Sequence, residues 1–526
     1  MLVTLGLWLA SCAAPTLKGD RELADMDPRS AALREAGPPR RVILLTVAGL
    51  DASDYLDPWG HAAAPGAAVR MPRLAKLARQ GATGLAALPP SPGSTRASHA
   101  TLATGRSPAS HGIVADTTLD EDGSRSLPLV DNRAMRGTAL WDAAIGRGVL
   151  ALDWPTTAGA RIELVVPEVI AAGSWLDTIR PRSSPPLYRE LEAIAAEDLA
   201  TSPKADADGE RDPASWPRPS EKDAALVEAA CRVVDSPRDP GLWLIRLDQT
   251  ASAQRTFGTG SVEVDDALAR VDEAIGTLVD CLELAGQLED TAIFVVGDVA
   301  YRAVHSVASP NVALLRTGLV GRDPRATDGV RSWLALSRSN GLSAYVYARD
   351  AANALDAREV LETEATRTGA FQVVSAKQLA SMGADPQAWF GLAAAPGFAL
   401  SDDLSGALVR PSVERGAPGM LRFGEERASA VGFVAWGRGI RNQVRLPRIE
   451  FVDIAPTIAA LLGLRLDDDV EGEAYDALLR AAVEPPPAGP KRLGIEPGAS
   501  GGEILRDMRR ERRSDAKARE DVEDGR

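Results

Sequence analysis

The stretch RRVILLTVAGLDASDYL, residues 40–56, decides the fold. Val42 to Val47 form an apolar, β-branched-rich run entered from Arg40 and Arg41 and closed by Gly49. That is the pattern of a buried strand of a parallel sheet ending in a tight turn. Open α/β sheets collect their chemistry at the carboxyl ends of such strands, so a polar residue is expected at this tip. The residue there is Ala48, whose methyl group can do no chemistry.

Working outward, LWLIRL (242–247) reads as a second buried strand. It is followed by a helix with Leu268, Val271, Ile275, Leu278 and Leu282 at helical spacing, then by Gly286 and the strand AIFVV (292–296). Strand–helix alternation predicts an α/β fold, a largely parallel sheet with helices on both faces. LSAYVYARD, a helix over about 352–368 and FQVVS predict a smaller α+β subdomain, after which ASAVGFVAWG and DIAPTIAALLGL return to the main sheet. No internal repeat is visible. With 45% hydrophobic and 25% charged residues among 526, the chain has enough apolar material for a substantial core. The formal net charge of −14, with no long basic stripe in the middle of the chain, argues against nucleic acid as a partner.

The two ends read differently. MLVTLGLWLASC is a short apolar run closing in Leu9, Ala10, Ser11 and Cys12, similar to a bacterial lipobox in which the cysteine becomes a lipidated N-terminus. This predicts a lipoprotein of the cell envelope, tethered to a membrane on its periplasmic or outer face. An ordinary signal peptide or a mis-assigned start is the alternative. Residues 13–39 read as a tether, 201–223 as a surface loop, and 484–526 as a disordered, densely charged tail. Cys231 and Cys281 sit in apolar helical patterns and read as buried free thiols, with a bridge between them as the alternative.

PPSPGSTRASHATLATGRSPASHGIVAD, residues 89–116, carries the chemistry. Thr95 follows Pro92 and Gly93 and opens a helical pattern ending at Gly105, so its hydroxyl lies at a helix N-terminus, where a phosphate or sulfate is favoured. A plain capping residue is the simpler alternative.

Together with MPRLAKLARQGATG, ALWDAAIGRGVLALDWPTTAG and VDDALARVDEAIGTLVDCLELAGQLEDTAIFVVGD, these segments resemble the type I phosphodiesterase/nucleotide pyrophosphatase family of the alkaline phosphatase superfamily, over about residues 40–480. The resemblance implies an α/β/α sandwich over 40–483 with a cap inserted near 305–415, two zinc ions, and a threonine or serine nucleophile. Thr95 stands at the nucleophile position and His99 at a structural one. The family's first metal-binding aspartate is Ala48 here, and its phosphoryl-holding asparagine is Asp116. Asp248 stands at a metal position, but its histidine partner four residues on is Ser252. Asp298 likewise remains, but the following histidine is Val299, and a late His-Gly is Pro418-Gly419. The chain has four histidines, His61, His99, His111 and His305, too few at the right places to restore the site.

Catalytic zinc normally takes three protein ligands, so two bound zinc ions are not expected. A single Mg²⁺ or Ca²⁺ on Asp248 and Asp298 stays open, as does the simpler reading of ion pairs to Arg246 or Arg302. An unactivated alcohol is a poor nucleophile, which predicts a catalytically degenerate member with a binding or scaffold role. Its ligand in the ancestral cleft is unidentified, a phosphorylated molecule being one candidate. The alternative is an active phosphoric-ester hydrolase using Thr95 with an atypical metal or with His99 as base. A third reading is an envelope structural protein whose charged tail docks a partner.

Overall fold

The computed structural model of the protein describes residues 38–480, apart from 120–125, 171–172, 202–215, 219–220, 235–239, 324–328 and 423–428. Cys12, nearly all of the tether, most of the 201–223 loop and the charged tail lie outside the described residues.

Strand β1 (Arg41–Val47) is buried along its whole length. Helix α1 (Pro72–Gln80) and β2 (Ala82–Leu88) follow, then α2 (Thr95–Thr104), which stops at Gly105 in the left-handed conformation that ends helices cheaply. Next come β3 (Val149–Leu152), β4 (Leu164–Val166), α3 (Lys222–Arg232), β5 (Leu242–Leu247), α4 (Gln249–Phe257), α5 (Val262–Leu284) and β6 (Thr291–Gly297).

The chain then leaves the sheet. β7 (Arg302–Ala308), β8 (Ala335–Ser339), β9 (Ser343–Ala348), α6 (Ala351–Thr368), β10 (Phe371–Val374), β11 (Phe390–Ala394), β12 (Gly397–Leu400), β13 (Val409–Pro411) and β14 (Gly416–Ala417) build a cap. One cap sheet is antiparallel, in the order β8-β9-β11-β10. In the other, β7 pairs with β12, β13 and β14. Ala109 N–H donates to the Gly383 carbonyl at 2.9 Å, tying the cap to the main body. β15 (Val431–Gly437), β16 (Val444–Leu446), β17 (Ile449–Glu450) and α7 (Ile454–Leu462) complete the main sheet and its cover.

The nine-stranded central sheet runs β16-β2-β15-β6-β1-β5-β3-β4, with β17 also on β2. It is an α/β fold whose main sheet is parallel except for β15, which is antiparallel to both neighbours. Side-chain alternation along β1 explains the layering. Ile43, Leu45 and Val47 pack with α1, α3 and α5, whereas Val42 and Leu44 face α2 and α7. Both faces are therefore apolar, as a parallel strand requires.

One expectation is corrected. Cys231 on α3 and Cys281 on α5 are not free thiols but form a disulfide, because the packing of these two helices brings their Cα atoms to 5.9 Å.

Candidate functional site

Strands β1, β3, β4, β5 and β6 are mutually parallel, so their carboxyl ends share one edge. The residues they deliver there are Ala48, Asp153, Glu168, Asp248 and Asp298. Thr95, first residue of α2, is buried. Gly93 brings its turn to this edge, since a Cβ on Gly93 would lie 3.7 Å from Val299 Cγ1.

Two of the first three amides of α2 already have acceptors within the protein. Ser94 Oγ accepts from Ala97 N–H at 3.3 Å, and Asp116 Oδ1 accepts from Arg96 N–H at 2.8 Å. These amides are the donors an incoming anion would otherwise use. Asp116 thus supplies a carboxylate where the helix dipole favours negative charge.

His99 does not face the Thr95 hydroxyl. Its Nδ1 is 2.7 Å from the Thr95 carbonyl oxygen and its Nε2 is 2.8 Å from Thr46 Oγ1. A carbonyl only accepts, so Nδ1 carries the proton and Nε2 accepts from Thr46. Burial, reinforced by Arg246, pushes its pKa down to about 3, and Trp154 packs edge-on against the ring at 4.7 Å. This geometry agrees with the structural position read for His99 and does not offer the alternative in which it acts as base to Thr95. Nε2 ties α2 to β1 through Thr46, and Nδ1 is held within α2 by the Thr95 carbonyl.

Two cations stand among the strand tips. Lys222 Nζ, at the start of α3, is 2.8 Å from Asp153 Oδ2 and 2.8 Å from Asp248 Oδ1. Arg246, inside β5, reaches Asp153 at 3.1 Å, Glu168 at 3.3 Å and Asp248 Oδ2 at 3.1 Å. Arg96 extends the chain of charge to Glu168 at 2.9 Å and to the Asp116 carbonyl at 3.0 Å. Burial alone would raise the pKa of Asp248, but Lys222 and Arg246 reverse this and hold it well below the usual carboxylate range. Burial likewise works against the charge on Lys222, yet Asp153 and Asp248 overcome it and raise its pKa.

Asp223, next to Lys222, accepts from Asp248 N–H at 3.1 Å and Gln249 N–H at 3.0 Å, capping α4. Burial, with Asp248 nearby, moves its pKa up to about 7. At Asp298, Oδ1 accepts from Gly49 N–H at 3.1 Å and Val299 N–H at 2.6 Å, while Oδ2 is buried without a partner. Burial raises its pKa to about 6 against the pull of Arg246 and the two amides.

The tip of β1 is also closed. The Ala48 carbonyl accepts from the Thr250 hydroxyl and, at 3.4 Å, from the Gln254 amide, both on α4. Gly49 is left-handed (φ +67°), and a Cβ there would collide with the Gln254 amide and come within 2.9 Å of the Tyr301 ring. Ser252 is exposed on α4, and Val299 is buried. The Pro418 carbonyl accepts from Leu342 N–H at 2.8 Å, inside the cap connection.

The structure therefore brings Thr95, Asp116, Asp248 and Asp298 to one edge and surrounds them with Lys222, Arg246, Arg96, Asp153 and Glu168. Of these partners, the sequence suggested only Arg246. Asp153 lies in the DWP segment, and the signal it offered was a charged residue right after a buried strand. Its backbone is left-handed (φ 53°), which Asp tolerates better than most residues. Trp154 beside it is buried. Lys222, outside any motif, gave no sequence signal. A depression of about 270 Å³ lined by Ile145, Gly148, Val149, Arg161, Ile162 and Glu163 lies at the opposite, amino end of β3 and includes none of these groups.

These donors do not fit a pair of zinc ions. Among the described residues, no group of three or more His, Cys, Asp or Glu is arranged to hold a metal, and both oxygens of Asp248 already face internal cations.

A mostly parallel sheet between helical layers, a late cap, and a threonine opening a buried helix beside the strand tips define an alkaline-phosphatase-like fold. Residues 42–383 match the model of the family described as Type I phosphodiesterase / nucleotide pyrophosphatase, and the chain belongs to that family, whose members typically bind zinc. No curated protein matches the chain.

Proposed function

We propose that the protein is a catalytically degenerate member of this family, anchored through Cys12 at the cell envelope and acting there by binding or scaffolding. The observation that carries this reading is Asp248, the retained family carboxylate, held between Lys222 at 2.8 Å and Arg246 at 3.1 Å. The Thr95 alcohol needs a group to remove its proton and positive charge to stabilise a phosphoryl group, and the cations at this edge are already paired with carboxylates. The Cys231–Cys281 disulfide supports the envelope location, since such bonds persist outside reducing compartments. An anionic phosphorylated ligand would have to compete with the Asp116 carboxylate on Arg96 N–H.

A second reading, a hydrolase working with one cation, is favoured by a single feature, the unpartnered Oδ2 of Asp298. Hydrolysis of a chromogenic phosphodiester with added Zn²⁺, Mg²⁺ or Ca²⁺, run beside Thr95→Ala, separates the two. Equal background rates are expected. Turnover that Thr95→Ala abolishes would overturn the degenerate reading. Retention of the protein in the membrane fraction, lost in Cys12→Ser, tests the anchor.

A further inference from the structure

The site carries ordinary strand-tip carboxylates, and what distinguishes it is the cation set among them. Lys222 Nζ lies 2.8 Å from Asp153 and 2.8 Å from Asp248, so the two carboxylates converge on a single point. Asp223 is adjacent in sequence and caps α4 with both oxygens. Asp153 holds its place from a left-handed backbone, a conformation that persists only where surrounding contacts over-determine it.

We infer that Lys222 is the residue that closes this site to metal: its ammonium is the resident cation between Asp153 and Asp248, and its removal turns them into a site for one hard divalent cation. The inference rests on the degenerate reading above, but concerns cation binding rather than turnover.

Charge and distance select the ion. Without Lys222, Asp153, Asp248 and Asp223 carry three negative charges when ionised, and Arg246 offsets one, leaving a deficit that a divalent cation matches. All these protein donors are oxygens, which suit Ca²⁺ or Mg²⁺ better than zinc. Ca²⁺–oxygen distances of about 2.3–2.6 Å require the two carboxylates to close by only a few tenths of an ångström from their present 2.8 Å to the ammonium. Mg²⁺, at about 2.0–2.1 Å with strict octahedral geometry, requires roughly twice that movement or more. The expected order is Ca²⁺ over Mg²⁺, with water completing the shell.

The test is titration calorimetry with CaCl₂ alone at pH 8, on the wild-type protein, Lys222→Ala, and Lys222→Ala combined with Asp248→Asn. The expected result is no saturable site in the wild type, one site in Lys222→Ala with a dissociation constant of about 1 mM or tighter, and its loss in the double variant. Thermal stability of Lys222→Ala should rise with Ca²⁺, and that of the wild type should not respond to Ca²⁺ or to EDTA. A folded Lys222→Ala that binds no Ca²⁺, or binds it no tighter than wild type, overturns the inference. Should Lys222→Ala fail to fold, Lys222→Gln, which keeps a donor on an uncharged side chain one atom shorter, takes its place under the same criteria. The wild-type arm stands alone: a divalent ion bound by wild type and lost in Asp248→Asn refutes the inference whatever the turnover assay gives. Conversely, metal-free turnover through Thr95 would sink the degenerate reading and leave this inference standing.

Discussion

Asp298 is a carboxylate kept at a cost, and Asp298→Asn should stabilise the protein at pH 8. Its carboxyl is buried, its Oδ2 has no hydrogen-bond partner, and its pKa is raised to about 6 from 3.8. A group whose pKa rises on folding contributes stability that is fully present below its unfolded pKa and is lost as the pH climbs through the folded one. The window is therefore pH 4 to 6, and above it the ionised form costs about 3 kcal/mol at 1.36 kcal/mol per unit. Asparagine avoids that cost while still accepting from Gly49 and Val299 through its oxygen. It gives up the stronger bonds that a charged acceptor makes, about 1 kcal/mol, and some attraction to Arg246. The expected net gain is about 1–2 kcal/mol at pH 8, which for a folded body of this size raises the melting temperature by only about 1–2 °C. At pH 5 the advantage should vanish or reverse, because wild-type Asp298 is then protonated. Scanning calorimetry at both pH values, with EDTA present, reads this out. A variant less stable than wild type at pH 8, or a difference independent of pH, would refute the reasoning.

Three further outcomes follow from the same contacts. Lys222→Met should destabilise the protein by about 3 kcal/mol at neutral pH in urea melts, because it leaves the buried Asp153 and the half-buried Asp248 sharing Arg246 alone. The deficit should shrink below about pH 4, where the pKa-depressed Asp248 loses its contribution, and a loss under 1 kcal/mol would show the pair to be idle. Asp116→Asn should increase affinity for inorganic phosphate about tenfold, worth about 1.4 kcal/mol, by removing the resident anion from Arg96 N–H, without creating turnover. Unchanged affinity would mean that Asp116 does not guard the helix N-terminus. Reducing the Cys231–Cys281 bridge, which spans 50 residues, should cost up to about 4 kcal/mol. An unchanged urea midpoint after reduction would place that segment outside the cooperative unit.

The sheet was legible in the sequence because parallel strands buried on both faces leave uninterrupted apolar runs, as in VILLTV and LWLIRL. Thr95 was legible because a Pro-Gly turn followed by a capped helix has a composition of its own. Asp248 and Asp298 could be placed by motif, but their partners could not. Lys222 lies 26 residues from Asp248 and Asp153 lies 95 from it, so their meeting depends on the crossovers that make strands β3 and β5 neighbours. The role of His99 was hidden for a different reason. Helical spacing places its ring near Thr95, but only the hydrogen bonds show that the ring nitrogens take the carbonyl and Thr46 rather than the hydroxyl. The disulfide was hidden because helical periodicity says which face is apolar and not which residue on the next helix it meets.

The opening puzzle of Ala48 is resolved by asking what balances charge at a carboxylate-rich edge. Aspartates at buried strand tips are tolerated only with a cation close by, and either a metal or a side chain satisfies that requirement. Once Lys222 and Arg246 supply the positive charge, additional metal ligands bring no electrostatic benefit, and another carboxylate at position 48 would add a buried negative charge beside Asp298. An alanine there is therefore the compatible residue. Its carbonyl, held by Thr250 and Gln254, still fixes the turn at Gly49, whose amide satisfies Asp298. The same logic reaches Asp116. The N-terminus of α2 attracts an anion, and the chain supplies one of its own in the Asp116 carboxylate on the Arg96 amide.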